Sequence, residues 1–290
     1  MVKTILKMVL ATVLYAVLFM VANALLPFSQ GFKELGSSGN PMALVFLIIN
    51  SAWSCFTMYY IIKHTNYSGI KLFMNVLCVM FFIQYFMTQI ETLFFGSAFT
   101  ALTKQDIILI MLAGLFPLLG TVTLLAKFFQ NKNAVYERKK ICIKEILVKL
   151  GVIGIIYLCV YMLFGYFVAW QFEELRLFYT GSTEKLSFLG QMANNIQTNP
   201  IIIPFQILRG ILFGIAIIPI KNMVNGNKNI FIINVCLIYL CTAIVLIIPN
   251  VLFPDRVRIA HFIEMFSSML FFGIIVGNIL WGKKSKKTST

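Results

Sequence analysis

Eight long apolar runs, separated by short polar segments, make up most of the 290-residue chain. They fall at about 5–28, 41–62, 72–95, 105–129, 147–171, 200–220, 229–253 and 257–281. A helix needs about 20 apolar residues to cross the hydrocarbon core of a bilayer, and each run is long enough to do so. The pattern therefore predicts an all-α, polytopic, multi-pass membrane protein with about eight transmembrane helices.

The composition also indicates a lipid environment. Hydrophobic residues make up 60% of the chain and charged residues only 12%, whereas an ordinary soluble domain has about 25% charged residues. Six cysteines are scattered along the chain without a CxxC pair. They are predicted to be small buried residues, so we expect no disulfide framework, no metal site and no cofactor.

The net charge of +14 comes from basic residues concentrated in alternate connecting segments. On an eight-helix topology, 17 Lys and Arg residues lie on the side that holds both chain ends, and 6 lie on the other side. The positive-inside rule then predicts cytoplasmic N- and C-termini in the plasma membrane. The basic linker 131–146 and the basic tail 283–290 would face anionic lipid headgroups, so the charge does not require nucleic-acid binding.

The two halves of the chain resemble each other at an offset of 159 residues. Asn40-Pro41 falls on Asn199-Pro200, Asn75-Val76 on Asn234-Val235, and Gly114 on Gly273. The match predicts two parallel four-helix repeats, residues 1–130 and 147–282. Such repeats are common in transporters, with the functional site at the interface between them. Chance similarity between apolar sequences is the alternative.

Polar residues inside the predicted helices form stripes at helical spacing. The candidate pathway residues are His261, Glu264 and Ser268 in the eighth helix, Gln84, Thr88 and Glu91 in the third, Gln206 and Arg209 in the sixth, and Asn50 in the second. Ionisable groups inside a bilayer are costly and often mark a route for ligands or ions. A carboxylate would lower the cost of burying Arg209. The depths of these residues predict that Arg209 lies near Glu264 or, failing that, near Glu91.

Two interpretations of these stripes remain open. In the functional one, Glu91, Glu264, His261 and Arg209 line a water-accessible cavity that opens to the outside. In the other, they form a buried structural ion pair with hydrogen-bonded neighbours, because membrane bundles also use polar residues to hold helices together.

The second half contains an insertion within 171–199 that has no counterpart in the first half. It begins with Glu173, Glu174 and Arg176, which are the outer-loop candidates, and continues as an amphipathic stretch. The stretch would either cap the outer cavity as a short interfacial helix or form an ordinary loop.

These patterns favour a transporter or permeation protein for a small or anionic solute. His261 and Glu264 would exchange protons with the outside, and Arg209 would hold an anionic group or act as a counter-ion. No catalytic residue is predicted.

Two other functions remain as alternatives, a membrane-embedded enzyme acting on lipid or peptide and a non-catalytic sensor or accessory subunit. Glu173-Glu174, His261 and Glu264 superficially resemble parts of the CAAX-type glutamate intramembrane proteases. The resemblance is incomplete, because Arg176 follows Glu174 by two positions and does not complete the EExxxR motif of that family.

Overall fold

Helices make up almost all of the computed structural model, which describes residues 1–37, 40–96, 102–131, 142–224, 227–249 and 252–281. They are α1 (Val2–Leu25), α2 (Gln30–Ser37), α3 (Met42–Lys63), α4 (Gly69–Phe81), α5 (Met87–Phe94), α6 (Lys104–Phe129), α7 (Ile143–Phe167), α8 (Glu173–Thr180), α9 (Phe188–Thr198), α10 (Ile202–Met223), α11 (Lys228–Ile244) and α12 (Asp255–Trp281). A π-helix (Phe82–Phe86) joins α4 to α5, and 3₁₀ turns lie at Ala169–Gln171 and Val245–Ile247.

Eight helices of the described chain are long and apolar enough to cross a membrane. They are α1, α3, the continuous α4–α5 helix, α6, α7, α10, α11 and α12. Large apolar side chains such as Leu44, Ile155 and Phe271 are exposed on their outward faces, which suits lipid and would be unfavourable in water. The predicted all-α fold with eight candidate membrane helices is confirmed.

The seventh membrane helix ends earlier than the predicted residue 253. The chain leaves the helix at Ile248, whose backbone is extended with φ −70° and ψ 118°. Ile248 precedes Pro249, and a residue before proline is sterically disfavoured in the helical conformation. The released segment carries Ile248 and Phe253 into the wall of the cavity described below.

One end of the bundle, which we call the basic end, holds the Lys-rich connections. The backbone amide of Asn66, after α3, donates to the carbonyl of Met223 at 2.9 Å, which links the two halves of the chain. Lys7 lies 4.9 Å from the ring centroid of Phe128, and Trp281 packs on the start of α11. The start of α1 and the end of α12 therefore both lie at the basic end.

The opposite end, which we call the cavity end, is stabilised by a buried carboxylate. Asp106 accepts hydrogen bonds from the backbone amide of Ser29 at 2.8 Å and from its hydroxyl at 2.7 Å. Asp106 and Thr103 also form a reciprocal cap at the start of α6, which satisfies backbone amides that the first helical turn leaves unpaired. The end of α1 is thereby fixed to the start of α6.

Each half has the same pattern of neighbouring helices. In the first half, α1 contacts α3 and α6, and α4–α5 contacts α6. In the second half, the corresponding helix α7 contacts α10 and α12, and α11 contacts α12. An up-and-down four-helix bundle gives this pattern with or without duplication, so the parallel repeat stays a prediction. Most of the predicted linker 131–146 and all of the tail 283–290 lie outside the described residues.

Glycines allow close contact between α7 and α10. A Cβ atom built on Gly210 would lie 2.8 Å from the Cα of Gly154 and 2.5 Å from the Cβ of Tyr157. Gly214, one turn further along α10, faces Leu150 in the same way. The Gly210-x-x-x-Gly214 motif is therefore used for packing inside the chain, as small residues commonly are in membrane helices.

We expect Gly210→Ala to destabilise the folded protein by about 1–3 kcal/mol, because the added methyl group meets backbone atoms that cannot rotate away. The matched control is Gly151→Ala on α7, where a Cβ atom would meet nothing within 4 Å. That control should be neutral or slightly stabilising, since alanine favours helix over glycine. Thermal unfolding of the purified proteins in detergent measures both, and equal midpoints for the two variants would contradict this account of the α7–α10 contact.

Candidate functional site

Glu91 on α5 and Arg209 on α10 form a bidentate ion pair between the two halves of the chain. Arg209 Nη1 and Nη2 donate to the two carboxylate oxygens of Glu91, each at 2.6 Å. The side chain of Arg209 is only 2% exposed and that of Glu91 is 28% exposed. Two parallel, charge-assisted hydrogen bonds suit the planar guanidinium. Arg209 thus takes the second of its two predicted partners, and not Glu264.

The surroundings of the ion pair are largely aromatic. Arg209 Nη1 also donates to Gln206 Oε1 at 3.0 Å, and its guanidinium carbon lies 5.5 Å from the ring centroid of Tyr157. Phe205 on α10 stacks on Phe94 of α5, with centroids 3.9 Å apart and planes within 4° of parallel. An aromatic contact and an ion pair therefore connect the halves at neighbouring positions.

The π-helix in the third membrane helix affects the direction in which Glu91 points. A π turn takes up more residues than an α turn, so side chains on α5 are rotated relative to those on α4. Within it, Gln84 Nε2 donates to Ser54 Oγ on α3 at 3.0 Å. The hydroxyl of Tyr85 lies 2.5 Å from that of Tyr15 on α1. Buried polar groups thus fix the segment that precedes Glu91.

A cavity of about 1130 Å³ opens at the cavity end and is lined by both halves of the chain. Its rim includes the exposed residues Lys33 and Asp255, and its inner wall includes Ser268 and Met269. From Asp255 to Met269 the wall follows α12 for roughly 21 Å at 1.5 Å per residue. Because α12 has 27 residues and is about 40 Å long, the cavity extends along about half of this helix.

The carboxylate of Glu264 lies in the cavity wall, and no described Lys or Arg forms an ion pair with it. Glu264 is only 8% exposed. Ser268 Oγ donates to its Oε1 at 3.4 Å, and His261 Nδ1 lies 4.0 Å from its Oε2. Both contacts come from α12 itself, so Glu264 is a buried carboxylate without a permanent positive partner.

His261 connects Glu264 to the short helix α8. Its Nε2 lies 3.0 Å from the hydroxyl of Tyr179 on α8. Burial, reinforced by the nearby Glu91, raises the pKa of Tyr179, so this hydroxyl keeps its proton at neutral pH. Tyr179 can therefore donate a hydrogen bond to the cavity-lining imidazole.

The inserted segment 171–199 forms part of the cavity wall. Phe178 and Tyr179 from α8 line the cavity, together with Gln191 and Asn195 from α9. Trp170 Nε1 donates to Gln191 Oε1 at 3.1 Å, and Gln191 Nε2 donates to Asn195 Oδ1 at 2.8 Å. Of the two interpretations of this insert, the structure favours the one in which short helices enclose the mouth of the cavity.

The outer-loop candidates Glu173, Glu174 and Arg176 do not line the cavity. Arg176 is buried and donates from Nε to the carbonyl of Thr183 at 2.8 Å and from Nη1 to that of Trp170 at 2.7 Å. The side chains of Glu173 and Glu174 are 73% and 49% exposed. Arg176 therefore stabilises the fold of the α8 segment, while the two glutamates face away from the site.

Six of the nine predicted pathway residues line the cavity, namely Gln84, Thr88, Glu91, His261, Glu264 and Ser268. The other three do not line it. Arg209 and Gln206 are buried next to Glu91, and Asn50 is buried on α3 with no described hydrogen-bond partner for its Oδ1. Because both η nitrogens of Arg209 bind Glu91, the geometry does not support the predicted role of Arg209 in holding an anionic group.

The sequence interpretation missed the aromatic part of the wall. Tyr157 and Tyr161 on α7, Trp170 after it and Tyr179 on α8 all line the cavity. The spacing of Tyr157 and Tyr161 was a usable signal, because residues four apart share a helix face. Polar-tipped rings on one face of an apolar helix tend to face a polar partner rather than lipid.

We expect Glu91→Met to lower stability by about 3–5 kcal/mol, because it leaves the buried guanidinium of Arg209 without a counter-charge. The double variant with Arg209→Met should recover most of this loss, since two apolar side chains replace the pair. Glu145→Met is the control, because it removes an exposed ion pair with Lys149 at the basic end and should change little. Thermal unfolding in detergent measures all of these variants. A double variant as unstable as Glu91→Met would contradict this account of the pair.

Comparison with known proteins adds no assignment. The chain matches no protein-family model, no curated protein and no solved structure.

Proposed function

We propose that this protein is a plasma-membrane transporter that moves a small solute through the cavity between its two halves. The observation that carries the proposal is a cavity of about 1130 Å³ that reaches from the cavity end to Ser268 and Met269. Ligand sites are typically concave and mostly apolar, with a few polar groups that converge on the ligand. The cavity has these properties, with Gln84, Thr88 and Glu264 among its polar groups.

The packing between the cavity and the basic end supports a transport cycle. Phe213, Tyr239 and Phe272 lie beyond the cavity, fully buried, with ring centroids 5.2 to 6.1 Å apart. Val276 and Met58 continue this core and are also fully buried. Alternating access requires a site that is open to one side while the other side is closed. A bundle open at one end and densely packed at the other corresponds to one conformation of that cycle.

The charges of the wall favour coupling to protons. Glu264 and His261 can each exchange a proton with water in the cavity.

The positive charges of the wall limit the charge of the solute. Lys33, at the rim, is the one Lys or Arg in the described wall. Arg209 is neutralised by Glu91, so we narrow the proposal from a small or anionic solute to a neutral or cationic one.

The predicted topology belongs to the same proposal. With the basic end in the cytoplasm, the cavity opens to the outside, and basic side chains such as Lys63 and Lys149 contact anionic lipids. Two parallel four-helix repeats would then meet near the cavity. Transporters with such repeats bind their solutes at the interface between the repeats.

We expect at least one solute class to drive a protein-dependent pH change in proteoliposomes loaded with a pH-sensitive dye. The panel comprises organic amines, zwitterionic amino acids, sugars and carboxylates. Glu264→Gln should abolish the pH change because it removes the carboxyl group that we propose carries the coupled proton, whereas Glu145→Gln, at the basic end, should preserve it.

A folded, reconstituted protein that moves none of the four classes under either direction of the pH gradient would contradict the transport proposal. A solute-driven pH change that survives Glu264→Gln would retain transport and exclude Glu264 as the proton site.

A further inference from the structure

Glu264 is a buried carboxylate in the cavity wall that forms no ion pair with a described Lys or Arg. It is 8% exposed, and its described contacts are Ser268 Oγ at 3.4 Å and His261 Nδ1 at 4.0 Å. An ionised carboxylate at this depth is costly without a positive partner. A cation that enters the cavity would supply that partner.

The remaining charges of the wall do not supply it. Glu91 is bound to Arg209 through both oxygens. At the rim, Asp255 accepts a hydrogen bond from Arg258 at 2.8 Å, and Lys33 lies there on α2. Among the described residues, the deep part of the wall therefore holds one carboxylate, that of Glu264, without a Lys or Arg partner, and such a group favours a cationic over an anionic solute.

Aromatic side chains line the same cavity. Tyr157, Tyr161, Trp170, Phe178 and Tyr179 line the cavity. The ring of Phe253 lies 5.5 Å from that of His261. Aromatic rings attract positive charge over their faces, and quaternary ammonium groups are recognised in this way. A cavity wall that contains both a carboxylate and several aromatic rings is thus suited to an organic cation.

Size and donor chemistry argue against a metal ion. The described residues contain no group of three or more His, Cys, Asp or Glu side chains that could hold one. The cavity of about 1130 Å³ is slightly larger than the roughly 300–1,000 Å³ typical of sites that bind drug-sized ligands. Phe19, Phe28 and Met265 add apolar surface to its wall, which suits a solute with an apolar body.

We infer that the solute is an amphipathic organic cation, a protonated amine or quaternary ammonium compound with an apolar body. Its positive centre pairs with Glu264, and its apolar body lies against Tyr161 and Tyr179. A proton on Glu264 and the cation exclude each other, because both neutralise the same carboxylate. The inference rests on the proposed transport function and specifies its substrate class.

Binding of tetraphenylphosphonium to the purified protein tests this inference. The probe has a positive centre inside an apolar body, and tetraphenylborate has nearly the same shape with a negative charge. In equilibrium dialysis we expect wild-type protein to bind tetraphenylphosphonium about tenfold or more tightly than tetraphenylborate, which corresponds to one charged contact. Glu264→Gln should weaken tetraphenylphosphonium binding by about tenfold, and Glu145→Gln should leave it unchanged.

A second variant tests the aromatic wall separately. Tyr161→Leu keeps an apolar side chain and removes the ring, so it should weaken tetraphenylphosphonium binding by about threefold. If Glu264→Gln fails to fold, the charge selectivity of the wild type and the effect of Tyr161→Leu decide whether the cavity binds an amphipathic organic cation. Equal binding of the two probes, or unchanged binding to folded Glu264→Gln protein, would overturn the inference.

The two proposals fail in different ways. If tetraphenylphosphonium does not bind but another solute class drives a pH change in proteoliposomes, the substrate class is wrong and transport stands. If tetraphenylphosphonium binds with the expected selectivity but no solute moves, the cation site stands and transport is wrong.

Discussion

A guanidinium buried in an apolar helical bundle has to be neutralised, and in this protein the neutralising group comes from the other half of the chain. Arg209 on α10 and Glu91 on α5 form two hydrogen bonds of 2.6 Å, beside the stacked rings of Phe94 and Phe205. Breaking such a pair leaves a charge that the interior cannot solvate. The pair therefore fixes the position of the two halves relative to each other next to the cavity.

The same constraint accounts for the character of the cavity. Because Glu91 neutralises Arg209, the positive charge that the sequence placed in the wall is unavailable to a solute. Glu264, on the opposite helix α12, is left without an equivalent partner. Two carboxylates in the wall of one cavity thus differ in their partners, because Glu91 is paired with Arg209 and Glu264 has no described Lys or Arg partner. Of the two interpretations drawn from the sequence, the structural ion pair describes Glu91 and Arg209, whereas the functional cavity with Glu264 and His261 stays a proposal.

The sequence predicted the parts of the fold that depend on length and hydrophobicity. Eight apolar runs correspond to eight membrane helices because a helix must satisfy its own backbone inside lipid. The early end of the seventh helix was also predictable, since Pro249 disfavours helix at Ile248. The depth of Arg209 limited its partners to Glu264 and Glu91 but could not separate them, because depth does not fix the rotation of a helix about its axis.

Other features of the site depend on tertiary structure that a single sequence does not specify. The π-helix at Phe82–Phe86 changes the phase of α5, and hydrophobic periodicity gives no sign of it. The insert 171–199 forms two short helices whose residues Tyr179 and Gln191 reach the cavity, although its sequence was equally compatible with a loop. The spacing of Tyr157 and Tyr161, four residues apart, was a weak indication that both lie on one face of α7.

The most direct test of the central claim is cysteine accessibility along α12, in a background in which the six native cysteines have been replaced. The variants His261→Cys, Met265→Cys and Ser268→Cys place a thiol in the cavity wall, whereas Phe272→Cys and Val276→Cys place it in the packed core beyond. A membrane-impermeant maleimide added from the cavity side should label the first three and spare the last two. Protection at all five positions, or labelling that continues to position 276, would contradict a cavity that enters from one end and closes before the other.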